Sequence, residues 1–177
     1  MANTGTVILE TPRLILRRPV MEDVDAYFEF YSDPEITRHI PDAPRDLQKT
    51  REEVAWHVNG PPGHPQLGLW AAIHKETGRF IGRCGLLPWT IEGREEVEIA
   101  YALARDFWGQ GLASEAAAAI LRYAFEQLNI TRLICLIIPE NTASARVAEK
   151  IGMTLERRVD GIDGDNIPAL IYAIEKL

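Results

Sequence analysis

Cysteine and histidine are scarce in this sequence. The two cysteines, Cys84 and Cys135, each lie within an apolar segment, whereas a disulfide framework would need more of them. The sequence therefore favours a reducing compartment, and we expect a cytoplasmic protein. The four histidines lack the spacing of metal ligands, so no metal is expected.

The sequence also has no excess of basic residues and no long hydrophobic run. The net charge of −7 argues against the positive surface of a nucleic-acid-binding protein. No apolar run reaches the roughly 18 residues of a membrane span, and residues 1–11 lack the basic start and apolar core of a signal peptide. We expect neither nucleic acid nor membrane as a partner. An acidic surface suits cationic amine substrates, although it also serves solubility alone.

Length and composition are ordinary for a globular protein. The 177 residues are 46% hydrophobic and 25% charged, and domains typically contain roughly 100–200 residues. We therefore expect one domain over residues 1–177, as a monomer or a homodimer. A chain of this size has enough core to need no disulfide or metal for stability.

Hydrophobic spacing predicts the order of helices and strands. Alternation marks strands, and apolar residues three and four apart mark amphipathic helices. The predicted strands span residues 14–16, 67–74, 79–87, 97–103, 132–138, 153–159 and 169–174. The predicted helices span residues 23–31, 46–58, 114–128 and 142–151, with a polar connector at 90–96 and a turn at 161–166. This order predicts an α/β protein with a mixed sheet and helices on both faces.

The segment 97–116 has the most informative pattern. A strand is followed by the loop Trp108-Gly109-Gln110-Gly111, which opens a long helix. Glycines let a ligand approach the backbone, and the first turn of a helix offers unpaired N–H groups at the positive end of its dipole. The pattern predicts a phosphate or pyrophosphate site; the alternative is an ordinary turn before a helix.

Two common phosphate loops do not fit this segment. A P-loop needs Gly-Lys-Ser/Thr, and the segment has no lysine. The dinucleotide fingerprint needs Gly or Ala where Ser114 stands, and an acid about 20 residues further on. Gln127, Leu128 and Asn129 occupy that later region.

The loop instead resembles the acetyl-CoA loop of the GNAT superfamily of N-acetyltransferases, whose pattern is Gln/Arg-x-x-Gly-x-Gly/Ala. Gly111-Leu112-Ala113 matches the last three places, while Trp108 stands where Gln or Arg is usual. With this tryptophan the loop is similar to that of the RimJ/RimL type, the ribosomal-protein N-terminal acetyltransferases. Leu9-Glu10-Thr11-Pro12-Arg13-Leu14, Asn141-x-x-Ser144 and Glu149-Lys150-Ile151-Gly152-Met153 resemble the same subfamily in the same order, so the resemblance covers nearly the whole chain.

The resemblance implies a fold and an acetyl donor. The fold is a GNAT fold: a central, mixed, mostly antiparallel twisted sheet with a splayed pair of parallel strands and helices on both faces. The donor is acetyl-CoA, with its pyrophosphate held by backbone amides around residues 110–114 and its pantetheine arm paired with strand 97–103. The implied coenzyme-binding residues are Ile99, Tyr101, Leu103, Trp108, Gly109, Gln110, Gly111, Leu112, Ala113, Ser114 and Asn141.

Glu98 is the candidate catalytic base, because an amine must lose its proton before it can attack. Strand alternation places Glu98 on the same face as Ala100 and Ala102, a face that small residues keep open. The alternative is a solvated glutamate that continues the charged pair Glu95-Glu96.

Ser144 and Asn141 complete the candidate site. The resemblance implies that Ser144 protonates the leaving thiolate and that Asn141 forms a hydrogen bond with the coenzyme. The alternative for Asn141 is a helix N-cap or a turn residue. Tyr101 and Tyr172 are possible substitutes for Ser144 as the proton donor.

The predicted function is transfer of an acetyl group from acetyl-CoA to a primary amine, either a protein N-terminal α-amine or a small-molecule amine, by direct attack in a ternary complex. A route through an acetylated cysteine is disfavoured, because neither cysteine has a neighbouring histidine. Residues 36–40, the loop 59–65 and Trp89 are expected to wall the acceptor pocket. The alternatives are a non-catalytic domain that senses acyl-CoA and, more remotely, an unrelated nucleotide-binding α/β protein.

Overall fold

The computed structural model describes residues 5–162 and 166–176. Eight strands form one sheet in the order β1-β2-β3-β4-β5-β6-β8-β7. Their bounds are β1 Val7–Glu10, β2 Leu14–Arg17, β3 Gly68–His74, β4 Phe80–Ile91, β5 Arg94–Leu103, β6 Arg132–Ile137, β7 Thr154–Val159 and β8 Ala169–Glu175. Neighbouring strands are antiparallel except β5 and β6, which are parallel. The α/β class and the mixed, mostly antiparallel sheet are confirmed.

Helices cover both faces of the sheet. They are α1 Val24–Tyr31, α2 Pro34–Thr37, α3 Leu47–Val58, α4 Leu112–Glu126 and α5 Thr142–Lys150. Alternation along β3 serves both faces: Trp70 and Ala72 pack in the core with α4, and Ala71 packs with α1 and α3. Within the described ranges, no helix is both long and apolar enough to cross a membrane.

β6 is buried on both sides, as its nearly continuous apolar sequence predicts. Leu133, Cys135 and Ile137 join the core that α4 covers. Ile134 joins a second cluster, which contains Ile171 of β8. β6 therefore anchors the C-terminal half of the sheet.

The helices and strands follow the predicted order, with differences at their ends. The sequence pattern does not predict β1, a four-residue edge strand that begins at the exposed Val7, because pairing with β2 rather than alternation stabilises it. The connector predicted at 90–96 is wrong, since β4 and β5 continue through it to a tight turn at Glu92 and Gly93. Thr90 and Glu95 face each other there and form a hydrogen bond of 2.7 Å, so polar strand ends satisfy one another.

The glycine loop and the C-terminal turn give two further differences. Helix α4 begins at Leu112 rather than at residue 114, because Gly111 takes up the left-handed conformation as the N-cap. Of the turn predicted at 161–166, residues 163–165 lie outside the described residues. The predicted helix stop at Asp33-Pro34 is confirmed, but Pro34 also begins the short α2, which Asp33 caps through the N–H of Glu35.

The pairing of β5 differs sharply between its two sides. With β4 it is continuous and free of bulges, from Gly82 opposite Leu103 to Ile91 opposite Arg94. With β6, among the described residues, it has one paired position, Glu98 opposite Ile134. The two parallel strands therefore separate beyond this position, and the predicted splayed pair is confirmed. Their separation opens a cleft at the ends of the strands, beside the loop that enters α4.

Candidate active site

A cavity of about 1250 Å³ occupies this cleft. On one side the cavity is lined by the glycine loop and the start of α5. On the other side it extends over β4 and β5 to α3 and the segment that follows α2. One cavity is thus lined by the predicted base and by all the predicted coenzyme residues except Gln110.

The glycine loop presents a row of unused backbone donors. Gly109 and Gly111 have φ of 73° and 77°, which favours glycine. A Cβ at Gly109 would meet no other atom within 4 Å, so backbone conformation and not crowding requires glycine there. Within the described part of the chain, no backbone N–H from residues 109–114 donates a hydrogen bond, and the first N–H that does belongs to Glu115, which donates to Gly111. Such a row at a helix N-terminus is an anion site.

The turn between β1 and β2 holds this loop in place. The Thr11 hydroxyl and the Arg13 guanidinium donate to the two carboxylate oxygens of Glu115, at 2.6 and 2.7 Å. Arg13 also donates to the carbonyl of Gln110 at 2.9 Å. The motif at residues 9–14 therefore has a physical role, because it ties the sheet edge to the first turn of α4. These contacts lower the pKa of Glu115 despite the opposing effect of its partial burial.

Trp108 stabilises the entry to the same loop. Its indole Nε1 donates to the carbonyl of Leu103 at 2.7 Å, while its ring lines the cavity and is 46% exposed. The carbonyl of Ile99 likewise points away from β4, since it accepts a hydrogen bond from Cys135 Sγ at 3.2 Å. Backbone groups of alternate residues in a strand point to the same side, and Tyr101 lies midway between Ile99 and Leu103. The N–H and C=O of Tyr101 therefore face the gap beside β6. This part of the β5 backbone edge therefore faces the gap, beyond the one position that pairs with β6.

Glu98 lies at the narrow end of the gap, in its one paired position. It is 8% exposed, which excludes the alternative of a solvated glutamate. Burial raises its pKa to about 7, against the opposing effect of hydrogen bonds from the Trp89 indole, at 2.7 Å, and the Leu136 backbone. Such a carboxyl changes its protonation state near neutral pH, as a general base for an amine should.

Asn141 and Ser144 form the N-terminus of α5. Asn141 is the N-cap: its Oδ1 accepts from the Ser144 N–H at 3.2 Å, and its Nδ2 donates to Ser144 Oγ at 3.1 Å. Ser144 Oγ therefore accepts one hydrogen bond, while its own hydroxyl proton has no acceptor in the described chain. Tyr101 differs, because its hydroxyl donates to the carbonyl of Ser144 at 2.8 Å. Tyr172 is not among the lining residues, and its hydroxyl lies 3.4 Å from Glu149.

The cysteines are poor nucleophiles in this setting. Cys84 and Cys135 are buried, and burial raises both thiol pKa values, that of Cys84 to about 12. A thiolate is therefore scarce at neutral pH. The described residues also contain no group of three or more His, Cys, Asp or Glu side chains able to hold a metal ion.

The far half of the cavity differs from expectation. As expected, Trp89 and the segment 36–40, apart from Thr37, line this half of the cavity. The loop 59–65 lies within the described residues but contributes no lining residue, so that expectation is wrong. Helix α3 takes that place with Glu53, Trp56 and His57. Burial lowers the pKa of His57 to about 3, so its neutral ring accepts the backbone N–H of Leu69 at 3.1 Å.

Sequence reasoning missed a buried charge in this half, Arg83. It lies in the middle of an apolar strand, and it is 8% exposed. A lone arginine inside an apolar strand was the available signal, because charged residues are rarely buried without a partner. The hydrophobic pattern alone marks this strand as core and does not distinguish the face that lines a cavity.

Comparison with known proteins identifies the family. A model described as an acetyltransferase (GNAT) domain matches residues 13–154 of the chain. The chain belongs to the GNAT family. It is therefore an acetyl-CoA-dependent acetyltransferase.

Relatives in sequence and in structure cover most of the chain. YkkB of Bacillus subtilis (strain 168) is 40% identical over 154 residues, which cover 85% of this chain and 87% of YkkB. A GNAT-family acetyltransferase from Bacillus anthracis has a crystal structure that matches with a TM-score of 0.79 and 28% identity, covering 94% of this chain and 97% of that one. The RimL ribosomal L7/L12 α-N-protein acetyltransferase in complex with coenzyme A matches with a TM-score of 0.77 over 96% of this chain and 97% of that one. At 20% identity, RimL shows a shared fold.

The buried Glu98 predicts a stability effect that needs no activity assay. Its pKa is about 7 in the folded chain against 4.5 as the ordinary value, so the folded protein loses stability relative to the unfolded chain as pH rises from about 4.5 to 7. Glu98→Gln removes this loss. We expect the unfolding free energy of Glu98→Gln to exceed that of the wild type by more at pH 8 than at pH 5. The difference between the two pH values should be up to roughly 3 kcal/mol.

Urea denaturation at the two pH values measures this effect. Glu95→Gln, at an exposed site on the same strand, controls for the loss of one carboxylate. An equal difference between Glu98→Gln and wild type at both pH values would show that Glu98 titrates normally.

Proposed function

We propose that this chain transfers the acetyl group of acetyl-CoA to a primary amine by direct attack within a ternary complex. The observation that carries the proposal is the position of Glu98. This buried carboxyl shares one cavity with a row of unused backbone N–H groups. A proton acceptor and an anion site in one cavity are the two parts that the reaction needs from the protein.

The residues present fit the coenzyme. A pyrophosphate carries negative charge, and the N–H groups of residues 109–114 converge at the positive end of the α4 dipole. The pantetheine arm contains amides, which match the backbone edge of β5 at Tyr101. The row of donors lies in a chain of net charge −7, so local backbone groups rather than overall charge attract the anion.

Glu98 acts in this proposal as the base. It takes a proton from the ammonium form of the acceptor, directly or through a water molecule, and the amine lone pair then forms the N–C bond with the acetyl carbonyl carbon. The bond from this carbon to sulfur breaks, and the coenzyme leaves as a thiolate. The second proton of the attacking nitrogen passes through the Ser144 hydroxyl to this thiolate, so the products are the amide and the free thiol. Trp89 holds the carboxylate by its 2.7 Å hydrogen bond to Oε2, which fixes the orientation of the carboxylate in the cavity.

Ser144 is the proton donor that the contacts favour over Tyr101. Its oxygen accepts from Asn141, which orients the hydroxyl and leaves its proton available. The Tyr101 proton is already given to a backbone carbonyl. Ser144 also lies in the first turn of α5, whose positive dipole end favours a thiolate nearby. The side chain of Asn141 serves as the N-cap, and we propose that its contact with the coenzyme is made from that position.

The finer assignments are part of the same proposal. The motifs at residues 9–14, 108–113 and 141–153 support membership of the RimJ/RimL type. Composition supports a cytoplasmic location, and the oligomeric state in this proposal is a monomer or a homodimer. A protein N-terminal α-amine and a small-molecule amine both present the nitrogen that Glu98 would deprotonate.

Coenzyme binding and turnover test the function directly. We expect acetyl-CoA and CoA to raise the melting temperature, while ATP and NAD leave it unchanged, because the cleft offers a backbone edge for pantetheine as well as an anion site. Thiol release from acetyl-CoA should accelerate with a panel of amino acids, peptides and polyamines. Binding of acetyl-CoA without acceleration by any amine would contradict the catalytic proposal.

The pH dependence tests Glu98 as the base. Activity should rise with pH through an apparent pKa near 7, because Glu98 acts in its ionised form. Besides the hydrogen bonds to the Glu98 carboxylate, two nearby charges affect its pKa: Arg83 lowers it and Asp42 raises it. Glu98→Gln should lower kcat by about 10²–10⁴-fold near neutral pH, and by less toward pH 10, where the free amine accumulates. Rates measured from pH 6 to 10 decide this, and an unchanged profile in Glu98→Gln would exclude the role.

Substitution of Ser144 tests the proton donor. Ser144→Ala keeps the backbone N–H that Asn141 caps but removes the hydroxyl, so kcat should fall by at least tenfold with little change in the Kd of CoA. Ser144→Thr should retain activity. Tyr101→Phe is the matched comparison, and a larger loss of kcat in this variant than in Ser144→Ala would assign the proton to Tyr101 instead.

A further inference from the structure

Arg83 is a buried cation that lacks hydrogen bonds. It projects from the middle of β4, is 8% exposed and lines the cavity. Its Nε is buried with no partner, and within residues 5–162 and 166–176 the guanidinium donates no hydrogen bond. A buried charge is normally paired and hydrogen-bonded, since its removal from water is otherwise costly.

The neighbours of Arg83 balance its charge only in part. The nearest carboxylate oxygen, Glu53 Oε1, is 3.9 Å from Nε and accepts a hydrogen bond from the Tyr31 hydroxyl at 2.6 Å instead. The Tyr31 ring lies 5.6 Å from the centre of the guanidinium, which adds a cation–π contact. These contacts position the guanidinium and leave its N–H donors for another group.

Arg83 shares a face of the sheet with Glu98. In the β4–β5 register, Arg83 faces Ala102 and Leu87 faces Glu98, so the two charged residues are offset by four positions, about 14 Å of strand. Gly85 and Ala100 face each other between them and keep the floor of the cavity low. A ligand on this floor has a carboxylate base at one end and an unsatisfied guanidinium at the other.

We propose that the acceptor is a primary amine that also carries a carboxylate, and that Arg83 binds this carboxylate. The proposal rests on the acetyltransferase function proposed above and names its substrate class. A guanidinium presents parallel N–H donors that match the two oxygens of a carboxylate. A monoanion fits better than a phosphate dianion, because three carboxylates that act on Arg83 or on each other, Asp42, Glu53 and Glu98, already line this region.

Paired acceptors test the proposal. Thiol release is measured with glycine, β-alanine, 4-aminobutanoate, 5-aminopentanoate, aspartate, glutamate and lysine, each beside its carboxamide. We expect kcat/KM of the best acid to exceed that of its amide by at least tenfold in the wild type. In Arg83→Met this ratio should fall to about one, and in Arg83→Lys, which keeps the charge without the fork, it should be intermediate. Arg122→Met, an exposed arginine on α4 outside the cavity, should keep the wild-type ratio.

Three results would overturn the proposal: amides as good as their acids in the wild type, equal losses for acid and amide in Arg83→Met, or a preference for aminoalkylphosphonates over acids. The shift in melting temperature with CoA shows whether each variant is folded. If Arg83→Met does not fold, the wild-type ratio and Arg83→Lys still decide.

A binding measurement separates this proposal from the catalytic one. With CoA present, the N-acetylated acid should raise the melting temperature of the wild type and its N-acetylated amide should not, whether or not turnover is seen. No thiol release with any amine would contradict the catalytic function, whereas equal binding of the two products would contradict the role of Arg83.

Discussion

Between the parallel strands β5 and β6, the described residues share one paired position, Glu98 with Ile134. The candidate active site depends on this constraint. If pairing continued, the backbone edge of β5 would be satisfied by β6 and no cleft would form. Because pairing stops, Tyr101 presents its N–H and C=O to the gap, and the α4 N-terminus lies at its mouth. The continuous β4–β5 ladder makes this possible, since it holds β5 rigidly from its other side.

Burial sets the chemistry of the cavity. Glu98 is withdrawn from water at the narrow end of the splay, and its pKa rises toward neutrality for that reason. The carboxylate persists there because the Trp89 indole and the Leu136 backbone hydrogen-bond to it. Arg83 is buried on the same face without a hydrogen bond. The protein thus supplies hydrogen bonds to one of these buried groups and not to the other, an asymmetry that agrees with the proposed roles of a base and a binding residue.

Much of this architecture is readable from local patterns. Alternation in 97–103 predicts the face that carries Glu98, Ala100 and Ala102, and the glycine loop predicts the anion site, because both depend on residues close in sequence. The strand ends at 90–96 are different: their polar residues resemble a connector, and only the partner strand makes Thr90 and Glu95 a pair. The acceptor side was also misjudged at residues 59–65, since the packing of α3 on the sheet decides which segment lines the cavity.

By itself, the sequence indicated the family and predicted the coenzyme loop and the candidate base, because glycines before a helix and alternation along a strand act over a few residues. Tertiary structure alone decided the rest. It determined that Thr11 and Arg13 bind Glu115 across the sheet edge, that Ser144 keeps a free hydroxyl proton while Tyr101 does not, and that the Nε of Arg83 is buried without a hydrogen-bond partner. These properties depend on contacts between segments that are far apart in the chain. Burial and hydrogen bonding of this kind exist only when folding brings those segments together.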